Sequence, residues 1–370
     1  MARVIGLLDM DYFFAQVEER ENPSLKDKPV VVCVFSGRSS ESGSVATCNY
    51  EARALGIRSA MPIFRAKQLA REKPETVFLP VRKPFYAEIS NRIFALVEKA
   101  GAGVERVGLD EAYFDWSRIA NGNFELARQK AVDLKREIGE AEKLSCSIGL
   151  GPSKLVAKMA AGQNKPNGLT VVLPSHAEVF LADFPVSKLQ NVGPKTAQKL
   201  EEKGIRFVRD LKAISLEYLT GSFGRARGTF LFEACRGRDE APVKANSEKK
   251  HFSRMATLAM DTADEKALRD HLQPLALDIE AWMAQRELFC QSVSLGVVRA
   301  GDLSFRSKSV LLEKPVRDAP VLLSAALLLA EKFRQLEPGV LFRRAGISVG
   351  RFSAKGKKPD DAQKGLTDFV

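Results

Sequence analysis

The sequence is poor in the residues that staple small folds or ligate soft metals. Its five cysteines (Cys33, Cys48, Cys146, Cys235 and Cys290) are scattered, odd in number and form no CxxC pair. That excludes a disulfide framework and a cysteine-based zinc site. The three histidines, His176, His251 and His271, have no metal-ligand spacing between them and read as surface or packing residues. No stretch approaches the ~20 apolar residues needed to cross a bilayer. The most apolar one, 319–333, is short and reads as a buried helix. The opening MARVIGLLDMDYFF has a brief apolar run, acids directly after it and no small-residue cleavage site, unlike a secretory signal. Glycine and proline are not in excess, which argues against wholesale disorder. A reducing, cytoplasmic compartment fits these absences.

What is present is apolar content sufficient for a core and a marked excess of positive charge. At 370 residues and 45% hydrophobic, two or more domains are expected. The net charge of +11 and pI near 9.4 point to a polyanionic partner, of which nucleic acid is the commonest. Residues 244–358 carry 20 Lys and Arg against 13 Asp and Glu, most of that excess.

Periodicity gives an element order. Residues 3–9 read as a buried strand and 12–20 as a helix. Within 21–79 lie a strand (28–35), two short helices (46–57 and 62–73) and a strand (77–80). A helix at 84–99, strands at 104–110 and 111–116, a long helix at 123–142, a strand at 145–151, a helix at 153–162 and a strand at 168–173 follow. Without the 21–79 insertion this is an elaborated βαββαβ, ferredoxin-like sheet with helices on one face. Short helices and glycine turns fill 174–239, and 240–249 is a polar linker. A second α/β pattern spans 250–353, with helices at 264–285 and 320–336. The tail reads as disordered until a short apolar end.

Two acidic clusters stand at strand ends: Asp9-Met10-Asp11 and Asp110-Glu111. Taken singly, each reads as solvated turn residues. The βαββαβ order makes their strands neighbours, however, so Asp9 can meet Asp110 and Glu111. Carboxylates drawn together repel unless positive charge lies between them. Magnesium prefers such hard oxygen ligands, and two ions about 3.5–4 Å apart can activate an attacking hydroxyl and stabilise a leaving phosphate.

The segments LLDMDYFFAQVEE (7–19), PVVVCVF (29–35), VATCNYEARALGI (45–57), GLDEAYFD (108–115), SIGLGPSKLVAKMAAGQNKPNG (147–168) and LQNVGPKTAQKLEEKGI (189–205) resemble, in order and spacing, the Y-family DNA polymerases. The likeness is strongest to the archaeal lesion-bypass enzymes of the DNA polymerase IV type. It covers nearly the whole chain, specifically over the first 240 residues and mainly in pattern after that. The resemblance implies a multi-domain α/β (α+β) right hand. Its parts would be a ferredoxin-like palm (1–20 and 80–172), small fingers (21–79), a helical helix-hairpin-helix thumb (173–239) and an α/β little finger (250–353).

It also implies residue roles. Asp9, Asp110 and Glu111 correspond to the catalytic, metal-binding carboxylates, with the Met10 carbonyl completing one shell. The cofactor would be two magnesium ions, for which manganese can substitute. Asp11 matches the motif without being a ligand. Phe13 and Phe14 fall at the nucleotide, and Phe14 is the expected steric gate, a ring that collides with a ribose 2′-OH. Tyr50, Arg53 and Lys165 match the triphosphate grip, with Thr47 a weaker contact.

DNA contacts are expected in three places. LQNVGPKTAQKLEEKGI has the form of a helix-hairpin-helix, whose amides at Gly193 and Lys195 can hold a phosphate without reading sequence. Ser304, Arg306 and Lys308 alternate and so share one face of a strand, suited to phosphate tracking. QKGLTDFV (363–370) resembles a sliding-clamp peptide through Gln363, Leu366 and Phe369, with Val370 in place of a second aromatic.

The expected activity is template-directed addition of deoxynucleotides to a primer 3′-hydroxyl, as a monomer, without proofreading. Low fidelity is expected because small residues (Gly43, Ser44, Ala46 and Ala60) roof the nascent pair. A nucleotide cyclase would share the carboxylates but not the gate, hairpin and basic last domain. A catalytically inactive DNA-binding scaffold of the same fold would not need all three carboxylates.

Overall fold

The structure is a computed structural model, and it describes residues 1–101, 103–245 and 249–354. The chain forms two compact units: Met1–Val34 with Ser44–Ser247, and Phe35–Gly43 with Glu248–Val370. No described helix is long and apolar enough to cross a membrane.

In the first unit the order is β1 (Ile5–Met10), α1 (Phe13–Glu21), β2 (Val30–Phe35), β3 (Gly43–Cys48), α2 (Tyr50–Ala54), α3 (Ile63–Leu69), β4 (Val77–Pro80), α4 (Lys83–Lys99), β5 (Gly103–Arg106), β6 (Glu111–Asp115), α5 (Phe124–Glu142), β7 (Cys146–Gly151), α6 (Lys154–Gln163) and β8 (Leu169–Val171). The short helices α7 (Ala177–Ala182), α8 (Pro194–Glu201), α9 (Leu216–Phe223) and α10 (Arg225–Ala234) follow. The palm order matches the sequence reading element for element.

The sheet of the expected palm runs β5-β6-β1-β7-β8. β1 is central and antiparallel to both neighbours, with Asp9 opposite Glu111 on one side and Ser147 on the other. Its even residues Leu8 and Met10, with Val4 just before the strand, enter a core with α1, α4 and α5. Its odd residues Ile5 and Leu7 face α6, through Ala157 and Ala161, together with Tyr113.

The helices are therefore not all on one face. A Cβ at Gly149 would lie 2.1 Å from the Ala157 carbonyl and 2.2 Å from the Ala161 amide. Glycine in β7 is thus what lets the α6 backbone land on the second face, which is also the Asp9 and Glu111 face.

The sheet within the expected fingers runs β3-β2-β4. Here the sequence expectation of a helix over 46–57 fails at its start. Residues 46–48 belong to β3, and only Tyr50–Ala54 is helical. Strand pairing with β2 overrides a locally helix-compatible pattern. The first part of the expected linker is docked on the palm. The Arg3 guanidinium donates to the carbonyls of Asp239 (3.0 Å) and Ala241 (2.8 Å), and the Lys244 amide donates to Glu105 (2.9 Å).

The second unit holds β9 (His251–Thr262), α11 (Glu265–Ala284), β10 (Leu288–Arg299), β11 (Phe305–Val316), α12 (Ala319–Leu336) and β12 (Phe342–Ala354), with sheet order β11-β10-β12-β9. Both helices pack on one face.

Ser304 lies in the turn before β11, where its hydroxyl and amide both donate to Asp302. Arg306 and Lys308 do share a face, but it is the helix-bearing one. They pair with Val297 and Leu295, in phase with the inward Val310 and Leu312, and Lys308 lies over the Phe333 ring. Strict alternation fixes that residues share a side; the packing of α11 and α12 fixes which side. The open face carries Phe305, Ser307 and Ser309 with Ser292, Ser294, Ser253, Ser348 and Arg254 around a groove.

Candidate active site

One cleft in the first unit is lined by Asp9, Met10, Asp110, Phe13, Phe14, Thr47, Arg53 and Lys165, together with Tyr12, Ala46 and Ser59. Residues scattered over 156 positions of sequence thus meet where β1 ends. The Met10 amide donates to the Asp110 carbonyl at 2.8 Å, closing β1 onto the turn before β6. Asp110 is exposed and lines the cleft. The surrounding protein raises its carboxyl above the ordinary range, and the charge of Asp9 and then of Glu111 adds to the rise.

Positive charge already compensates these acids. The Lys165 ammonium is 2.5 Å from Asp9 Oδ1, and the Lys158 ammonium is 2.5 Å from Glu111 Oε2. Among the described residues no three acidic, His or Cys side chains are drawn together tightly enough to hold a metal as they stand. The donor set nevertheless fits a hard divalent cation: carboxylate oxygens and one backbone carbonyl, at a place that recruits cations.

Asp11 is different. It is fully buried, accepts from the hydroxyls of Ser145 and Ser147 (both 2.8 Å) and from the Asn167 amide (2.7 Å), and so organises the loop after α6. Its place outside the ligand set is consistent with that role.

Phe13 points into the palm core and is 2% exposed, while Phe14 is only half-buried. The Phe14 ring stacks on Tyr86 at 4.3 Å and 14°, a contact worth about 0.5–1.5 kcal/mol beyond its buried area. Tyr86 is itself fixed. Its hydroxyl donates to Glu18 at 2.5 Å, and Arg82 grips the same carboxylate in a two-pronged pair at 2.9 and 2.7 Å.

Tyr50 and Arg53 ride on α2, and Asn49 sets that helix. Its side-chain oxygen accepts from the amides of Ala52 (3.0 Å) and Val30 (2.9 Å), and its amide group donates to Glu19 (2.8 Å) and the Lys28 carbonyl (2.7 Å). A buried, fully satisfied side chain of this kind specifies one geometry. Arg53 spends Nε on the Cys48 carbonyl (3.1 Å) and lies over the Tyr50 ring. The Tyr50 hydroxyl is buried and has no hydrogen-bond partner among the described residues. An orphaned hydroxyl beside the Arg53 guanidinium is a place for a ligand oxygen.

The sequence reading missed Lys158, Asn49 and Tyr86. The Lys154/Lys158 spacing of four on α6 was a usable signal. Both ammoniums reach acids on the sheet below, Glu105 at 2.7 Å and Glu111 at 2.5 Å.

Sequence comparison agrees with the geometry. Residues 8–162 match the impB/mucB/samB family, 187–239 match a DNA polymerase-iota thumb domain and 249–364 match the impB/mucB/samB family C-terminal domain. DNA polymerase IV 1 of Methanosarcina mazei is 43% identical across the full length of both chains. The chain belongs to the Y family of DNA polymerases. DNA polymerase IV of Nitrosopumilus maritimus is 35% identical over 95% of this polymerase and 96% of its own length.

Among solved structures, the Y-family DNA polymerase chimera Dbh-Dpo4(243-245)-Dbh superposes with a TM-score of 0.88 at 33% identity, covering 95% of this polymerase and 99% of the chimera. An insertion ternary complex of Dbh DNA polymerase gives 0.67 at 34% identity, covering 94% and 98%. The polymerase is thus a DNA-directed DNA polymerase of the translesion class, dependent on divalent metal.

Proposed function

We propose that this polymerase extends a primer 3′-hydroxyl by a two-magnesium reaction, with low fidelity and without proofreading. The convergence of Asp9, Asp110, Phe14, Thr47, Arg53 and Lys165 on one cleft carries this reading. Asp9, Asp110, Glu111 and the Met10 carbonyl would hold the ions. When bound, they would lower the pKa of the primer hydroxyl and stabilise charge on the departing pyrophosphate. The relatives' names and the ternary complex of Dbh support DNA and an incoming nucleotide as the substrates.

The chain's own residues bind and orient. Arg53 forks onto phosphate oxygens, Lys165 supplies a point charge and Tyr50 donates its free hydroxyl. Thr47 adds a hydroxyl from β3. Phe14, braced by Tyr86, stands where a 2′-OH would be. Holding the triphosphate and primer in line supplies much of the rate, since alignment removes entropy from the barrier. Ala46 of β3 and Ser59 line the cleft with small side chains, which supports a loosely enclosed nascent pair and admission of damaged templates.

DNA is held without sequence reading. Gly193 starts α8 with no side chain on it, and a Cβ there would meet nothing within 4 Å. The amides of Gly193 and Lys195 therefore offer an open helix N-terminus to a phosphate. The hydroxyl-rich open face of the second sheet, with Arg254 beside its serines, offers further contacts to the DNA backbone. The clamp-peptide residues Gln363, Leu366 and Phe369 lie outside the described residues; their sequence pattern alone supports that partner.

The deciding experiment is primer extension with magnesium and four deoxynucleotides, on templates with and without one abasic site. Extension past the lesion, lost in Glu111→Ala and absent with ribonucleotides, is the expected result. Salt-sensitive DNA binding with no extension on either template would instead indicate an inactive scaffold.

A further inference from the structure

We propose that Lys135 is a positioning residue for the incoming nucleotide, fixing the loop that presents Lys165 to the triphosphate. The proposal rests on the reading of Lys165 as a phosphate grip.

Lys135 projects from α5, far in sequence from the cleft residues. Its ammonium donates to three backbone carbonyls, Cys146 (2.9 Å), Asn167 (2.6 Å) and Gly168 (2.9 Å). An ammonium has three donors and no acceptor, so all three are used, and on two separate segments: the start of β7 and the loop after α6. Burial pushes Lys135 below the ordinary lysine range; three carbonyl acceptors offset that desolvation.

The same loop is held from the other side. The Asn167 amide donates to Asp11 at 2.7 Å and the Gly168 amide to Ser147 Oγ at 3.1 Å. A Cβ on Gly168 would come within 2.2 Å of the Asn164 carbonyl, so the turn is closed tightly on itself. Lys165 sits two residues upstream of this clamp. Its ammonium is 2.5 Å from Asp9 and 3.9 Å from Asp11.

A lysine charge rides on a flexible four-carbon stem. Its placement depends on where the backbone is fixed. With the loop freed, the Lys165 backbone is no longer held beside Asp9, and its ammonium spends less time where the triphosphate would be. Loss of Lys135 therefore weakens nucleotide binding while leaving the carboxylates and the DNA surfaces in place.

The test is a single-turnover titration of deoxynucleotide on the full chain with primer-template and magnesium. It compares wild type, Lys135→Met, Lys165→Ala and the double variant, with hydrogen–deuterium exchange of residues 165–168. Lys135→Met is expected to raise the nucleotide Kd about tenfold, to leave the maximal rate within about threefold and DNA affinity unchanged, and to speed exchange at Asn167 and Gly168. The double variant should be no weaker than Lys165→Ala alone, because the two residues act through one contact.

A raised Kd in Lys165→Ala with a wild-type Kd in Lys135→Met overturns the proposal alone. So do additive effects in the double variant. An unchanged Kd in Lys165→Ala overturns the grip reading and this proposal with it. If Lys135→Met does not fold, Lys135→Arg gives the same readout. It keeps charge and length, but a planar guanidinium cannot converge one nitrogen's donors on three carbonyls. An unchanged Kd there also overturns the proposal.

Discussion

The Lys158 ammonium is 2.5 Å from Oε2 of Glu111, so a helix on the second face of the palm sheet neutralises a carboxylate of the candidate metal site. A cation that binds Glu111 must displace or share that ammonium. Removing one unit charge about 5 Å away removes a repulsion of about 3 kcal/mol per unit of the cation's charge at an effective dielectric near 20, and solvent screening at this partly exposed site leaves a fraction of it. Lys158→Met is therefore expected to lower the half-saturating magnesium concentration about tenfold, as read in a magnesium titration of extension rate. A higher requirement would show that Lys158 assists the site and does not compete for it.

Tyr50 carries a buried hydroxyl with no partner in the described residues. Deleting it leaves no donor or acceptor stranded, so Tyr50→Phe should melt within ~0.5 kcal/mol of wild type. If the hydroxyl serves the triphosphate, the nucleotide Kd rises about 10–100-fold, as expected for one hydrogen bond to a charged group. Equal nucleotide affinity in the two proteins would remove Tyr50 from the grip.

Phe14 is stacked on Tyr86 and lines the cleft. Phe14→Ala removes the ring that excludes a 2′-hydroxyl. Ribonucleotide insertion, measured as kcat/KM relative to the matching deoxynucleotide, should rise about 10–200-fold, the discrimination a shaped pocket supplies. An unchanged ratio would locate the sugar filter elsewhere.

Glu142 joins three palm helices. Its carboxylate accepts from Arg92 at 2.6 and 2.9 Å and from Arg20 at 3.0 Å. The Arg92 hydrogen bonds, followed by those of Arg20, hold Glu142 below the ordinary glutamate range. A depressed folded-state value means the stabilisation is present above the unfolded pKa and is lost as pH falls through the folded one. Glu142→Gln should therefore cost about 1–3 kcal/mol at neutral pH. The two proteins' stabilities should converge below about pH 4. Chemical denaturation across pH checks this, and a pH-independent difference would assign the effect to packing.

The sequence by itself determined the order of elements outside the 21–79 insertion, because apolar periodicity and glycine punctuation act over a few residues. It also determined the candidate chemistry. Asp9, Asp110 and Glu111 end neighbouring strands, and their spacing, with that of Phe14, Tyr50, Arg53 and Lys165, identified the family. The tertiary structure decided everything that depends on which face meets which. It placed residues 46–48 in a strand through pairing with β2. It put α6 on the carboxylate face because Gly149 leaves room for its backbone. It turned Arg306 and Lys308 toward the helices and left the serines outside. It brought Lys158 to Glu111 and Lys135 to the Lys165 loop. These last contacts join segments with no local signature, since one lysine among 57 basic residues looks like any other until the fold supplies its acceptors.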